Sequence, residues 1–89
     1  MNEKGIELTV EGKDITFSPS PEIYGQYIGA VAQGDIADAA HNFVMQSVNS
    51  EDSKGALRQL AADNPGAMMQ LASVVMAQYA PKVSITIKK

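Results

Sequence analysis

The sequence contains no cysteine. That excludes a disulfide framework, a thiol nucleophile and a cysteine-ligated zinc or iron–sulfur site. It also removes any argument for an oxidising compartment. Cations are few: seven basic residues stand against ten acidic ones, and Lys4, Lys13, Lys54, Arg58, Lys82, Lys88 and Lys89 form no run longer than two. Binding a phosphate backbone takes several converging cations, so nucleic acid is not an expected partner. No stretch approaches the ~20 consecutive apolar residues of a membrane span. The opening MNEKGIELTV carries acid and lacks the apolar centre of a signal peptide. The expectation is a soluble intracellular protein with no membrane contact.

What the chain does have is enough apolar material for one globular unit. Hydrophobic residues make up 45% of the 89 positions, too many for a disordered chain. One domain over 1–89 is expected, with no internal repeat or long linker. A chain this short buries only about 60–65% of the surface its unfolded form exposes, so self-association would help its stability.

The periodicities place the elements. Ile6, Leu8 and Val10 alternate with Glu7, Thr9 and Glu11, which predicts a strand with one buried face. Gly12-Lys13 is read as the turn, and Ile15-Thr16-Phe17 resumes the alternation to complete a hairpin. Ser20 followed by Pro21 signals a helix start. Ile23, Tyr24, Tyr27, Ile28 and Val31 then recur at helical spacing up to Gly34. Asp35 is placed to cap a second helix, with Ile36, Ala40, Phe43, Val44 and Val48 on one face and Asn49 at its end. The polar SEDS is read as a loop. Leu57, Leu60 and Ala61 mark a short third helix. Asn64 and Pro65 are read as the cap and first residue of a fourth, whose stripe is Met68, Leu71, Ala72, Val75, Met76 and Tyr79. After Pro81, Val83, Ile85 and Ile87 alternate with Ser84 and Thr86. A lone strand cannot satisfy its backbone groups, so this one is expected to complete a three-stranded, antiparallel-type sheet with the hairpin. The predicted class is α+β, with about four helices packed on one face of that sheet.

Candidate chemistry is sparse. His41 is the only histidine. On a helix, Asp35, Asp38 and His41 are spaced by three, and a small metal-binding or catalytic domain centred on them is the competing functional class. The structural reading is preferred. Acids in a first turn are favoured by the helix dipole, His41 falls at the border of the apolar stripe, and a mononuclear metal site would need a further ligand from elsewhere. The serines lack the glycine context of a nucleophile elbow. Glu51 and Asp52 read as a solvated acidic loop, and Gly12-Lys13 falls far short of a phosphate loop. No enzymatic activity, metal or cofactor is therefore expected. Gly25 and Gly29 are read as permitting close packing inside the fold. The methionines stand apart. Met68 and Met76 lie on the stripe of the fourth helix, whereas Met45 and Met69 lie off the most apolar line. Flexible thioethers fill gaps in small cores, and they also suit surfaces that adapt to a partner. Tyr27, Met45, Met68 and Met69 are the candidate partner-binding residues.

From DITFSPSPEIYGQYI through HNFVMQSV and DNPGAMMQLASVVMAQY to VSITIKK, the order of elements resembles the small tail assembly chaperones of long-tailed bacteriophages. The likeness rests on a strand leading into a Pro-flanked helix start, a helix bearing His41-Asn42-Phe43, a short acidic linker, an Asn-Pro-Gly helix start, a long amphipathic helix and a terminal strand. The resemblance implies a non-catalytic protein of the bacterial host cytoplasm. It would bind the tape-measure protein, a long and largely helical chain, keep it soluble and help recruit the major tail protein. It would then leave before the tail is complete, and it would act as a homo-oligomer. A structural subunit of a larger assembly is the neighbouring alternative. Such families are often made in two lengths by ribosomal frameshifting, and the closing Lys88-Lys89 is compatible with this chain being the shorter product. The same lysines also suit the guarding of an exposed strand edge.

Overall fold

The computed structural model describes residues 5–80 and 85–88. Strand β1, Ile6–Val10, pairs antiparallel with β2, Lys13–Phe17, placing Ile6 opposite Phe17 and Val10 opposite Lys13. The turn is Glu11-Gly12, one residue earlier than expected. Both residues have positive φ, 51° and 82°, the two-residue geometry whose twist matches that of the flanking strands. Gly12 adopts it freely, while Glu11 does so at a cost of roughly 1–2 kcal/mol. Beside the turn the Thr9 hydroxyl donates to Asp14 Oδ1 at 2.8 Å. Alternation turns Ile6, Ile15 and Phe17 into the core and leaves Glu7, Thr9, Asp14 and Thr16 exposed.

Helix α1, Pro21–Ala32, begins as the sequence indicates. The Ser20 hydroxyl accepts the Ile23 N–H at 3.2 Å, and Pro21 sits where its missing N–H costs nothing. It stops in a Schellman arrangement. Gly34, at φ 92°, donates to Val31 O at 2.9 Å, and Asp35 donates to Ala30 O at 3.0 Å. Helix α2, Ile36–Gln46, follows at once. Asp35 occupies its cap position but makes no side-chain cap bond. Ala39, Ala40, Phe43 and Val44 are buried, whereas Ile36 is 46% exposed because the whole first turn stands clear of the neighbouring elements. The helix ends before Asn49. Buried Ser47 donates its hydroxyl to Phe43 O at 2.7 Å and accepts the Ser18 N–H at 2.6 Å, tying the end of β2 to the end of α2.

The stretch expected as a loop, SEDS, is the cap and first turn of α3, Glu51–Asp63. Ser50 accepts the Ser53 N–H at 3.2 Å, and Glu51 and Asp52 lie in the first turn, where the helix dipole favours them. Helix α4, Ala67–Tyr79, starts two residues later than expected. Asn64 ends α3 rather than starting α4. Its side-chain amide donates to Leu60 O at 3.3 Å, its backbone carbonyl accepts the Ala67 N–H at 3.0 Å, and Pro65-Gly66 completes the turn.

The expected third strand is corrected. Val83 and Ser84 lie outside the described residues. Ile85–Lys88 is described but is not in a strand, and Ile85 and Ile87 are each 82% exposed. Among the described residues the sheet is a two-stranded hairpin. Alternation alone does not make a strand when no edge has paired with it. The core lies between the inner face of the hairpin and α2, α3 and α4. Phe17, Phe43, Val44, Val48, Leu57, Met68, Leu71 and Val75 form one cluster.

Candidate functional site

The sequence candidates scatter once folded. His41 is exposed on α2, and Asp35 and Asp38 are exposed at its start. Among the described residues no three His, Asp or Glu side chains come close enough to hold a metal ion. Glu51 and Asp52 face solvent, with Lys54 Nζ 3.9 Å from Glu51 and Lys13 Nζ 3.6 Å from Asp52. Exposed pairs of this kind contribute little.

Three of the four residues singled out for partner binding meet at the same core. Met68 is buried within it, and Tyr27 and Met45 pack against it while half-buried. The Tyr27 ring lies 4.9 Å from that of Phe43, closing the α1–α2 contact. Met69 points the other way and is 48% exposed. The one-residue step from Met68 to Met69 turns the side chain about 100° around the axis, which separates a core methionine from a surface one.

The apolar surface the sequence did not single out is on α1 and the flank of α4. None of the residues of α1 is buried. Ile23, Tyr27 and Ala30 rest along α2 across a shallow cleft of about 210 Å³ shared with Ala39 and Phe43. Tyr24 reaches Tyr79 at the end of α4, ring centres 5.9 Å apart. Ile28 stays 44% exposed. The apolar positions of α1 span more of its circumference than one neighbouring helix covers, and that is the signal the sequence offered. The close-packing role expected for Gly25 and Gly29 is corrected. Both face solvent, and a Cβ on either would meet nothing within 4 Å.

On the other side of the molecule, α4 runs alongside β1 in the opposite sense. A groove of about 420 Å³ lies between Val10 and the Ala67, Gln70, Leu71 and Val74 row. A second, of about 340 Å³, lies between Gly5–Leu8 and Gln78. Gln70, Val74 and Gln78 are spaced by four and so share one side of the helix.

This arrangement leaves apolar side chains of α1 and α4 at the surface, where they are open to protein contact. A family model described as phage tail assembly chaperone matches residues 6–89, all but the first five positions. The chain belongs to the phage tail assembly chaperone family. The match takes in the hairpin, the four helices and the C-terminal segment, so apart from Gly5 every surface described above falls inside the family region. No curated protein and no solved structure gives a significant match. Among the described residues of the chaperone, no helix is long and apolar enough to cross a membrane.

Proposed function

We propose that this chaperone binds the tape-measure protein during tail assembly, in the host cytoplasm, and helps bring the major tail protein to it. The observation that carries the reading is an apolar helix with no buried residue, in a member of a family that assembles phage tails. An amphipathic helix of the partner would dock on the outer side of α1 and the start of α2, where Ile28 and Ile36 are the exposed apolar anchors. An amphipathic helix that lays its apolar face on such side chains is a common mode of peptide recognition. Tyr27 and Met45 form the half-buried floor on which that surface rests, Met68 supports it from the core, and Met69 offers a separate adaptable contact on α4. A surplus of acidic over basic side chains keeps the complex soluble while the partner's apolar surface is covered.

The test is co-expression of the tape-measure protein with the chaperone or with an Ile28→Asp, Ile36→Asp variant. The wild-type chain is expected to raise the soluble yield of the tape-measure protein. The variant is expected to lose most of that effect while keeping its own thermal transition. Equal rescue by both chains would remove α1 from the binding surface.

A further inference from the structure

We propose that two copies of the chain associate by strand exchange, the C-terminal segment of each copy adding to the outer edge of β1 in the other.

The site is an empty strand position. In a two-residue hairpin the Val10 and Lys13 backbones face each other, so Ile6, Leu8 and Val10 direct their hydrogen-bonding groups toward β2. Glu7 and Thr9 therefore direct theirs outward. Just past the end of β2 the Ser18 N–H is taken up by the Ser47 carbonyl at the end of α2. Two grooves open beside β1, one between Gly5–Leu8 and Gln78, the other meeting the strand end at Val10 and passing Gln70 and Val74 toward the Asn64-Pro65-Gly66 turn. Leu8 and Val10 are only half-buried there, and Val74 is 46% exposed above them. A strand laid in this trough would pair its backbone with Glu7 and Thr9 and cover Leu8, Val10 and Val74.

The occupant fits by pattern and by charge. Ile85 and Ile87 are alternate residues, each 82% exposed, in a segment that has not settled on its own hairpin. Placed antiparallel, Ile85 lies opposite Val10, Thr86 opposite Thr9, Ile87 opposite Leu8 and Lys88 opposite Glu7. Both isoleucines then meet apolar partners, and Lys88 meets a carboxylate on the exposed face. The direction selects the second copy. Helix α4 ends beside Gly5–Leu8, at the start of β1. A segment returning along its own β1 from there runs parallel, and the antiparallel pairing, slightly stronger per residue, is open to a neighbouring copy.

Three variants of the full chain test this by sedimentation over a range of concentrations. The wild type is expected to show a monomer–dimer equilibrium. Ile85→Ser with Ile87→Ser should weaken it roughly tenfold or more and leave the thermal transition of the monomer unmoved, because both side chains are exposed in the single chain. Glu7→Pro removes one outward N–H without touching the hairpin ladder, and it should weaken the dimer likewise. The chain has no cysteine of its own, so a Thr9→Cys, Thr86→Cys variant reports the pairing directly under oxidation. A covalent dimer is the expected product. Closure of the disulfide within one chain would overturn the proposal in favour of pairing in the same copy. A wild type that stays monomeric at every concentration, or a dimer indifferent to the isoleucine and proline variants, would overturn it as well.

Discussion

Glycine in the middle of an exposed helix costs about 0.5–1 kcal/mol relative to alanine, and α1 carries two, at Gly25 and Gly29, each with open space where a Cβ would stand. Among the described residues no atom approaches closely enough to need a bare backbone at either position. Gly25→Ala and Gly29→Ala are therefore each expected to stabilise the chain by about 0.5–1 kcal/mol, read as a rise in the midpoint of thermal or urea unfolding. A fall instead would mean that α1 meets a surface closely enough to need the bare backbone. At the same scale, His41 is exposed and shares no metal-binding cluster among the described residues. His41→Ala is expected to change stability by no more than about 0.5 kcal/mol and to leave the chaperone effect intact. Loss of that effect in a folded variant would give the histidine a role that its surroundings do not.

At the scale of elements, caps decide where helices start. Ser20 and Ser50 each accept an N–H three residues on, at 3.2 Å. Ser50→Ala is expected to cost about 1 kcal/mol in chemical denaturation. A neutral result would mean that Glu51 and Asp52 hold the first turn through the helix dipole without the hydroxyl. The two caps also mark what was legible in the sequence. Ser20 precedes a proline and an apolar stripe, and its helix was placed to the residue at its start. Ser50 precedes three polar residues and no stripe, so the first turn of its helix reads as a loop and the helix is legible only from Leu57, Leu60 and Ala61. Asn64-Pro65 carries the same start signal as Ser20-Pro21, yet Asn64 closes α3, because side-chain capping residues serve turns as readily as helix starts. The hairpin was legible from alternation, with its turn misplaced by one residue because Glu11 accepts a positive φ that sequence alone assigns to glycine. The C-terminal alternation was equally clear, but a strand needs a partner, and alternation does not name one.

At the scale of the whole molecule, the core was legible and the exposed apolar surface was not. Phe17, Phe43, Leu71 and Val75 followed from periodicity. The exposure of Ile28, Ile36 and Val74 depends on which neighbours fail to cover them, a property of the assembled fold. The result is a small scaffold whose interior is ordinary and whose exposed apolar side chains include Ile28 on α1, Ile36 on α2, and Met69 and Val74 on α4. The outer side of α1 is the surface proposed for the tail component, and the β1–α4 trough the one proposed for a second copy. The two proposed surfaces use different residues, so blocking one is expected to leave the other working. The measurement that tests this most directly is calorimetric titration of the chaperone into a purified, solubilised segment of the tape-measure protein. Saturable binding that is lost with Ile28→Asp, Ile36→Asp and retained with Ile85→Ser, Ile87→Ser is the expected result. No binding by the wild-type chain, at concentrations where it is folded, would contradict the assignment of the tape-measure protein as its partner.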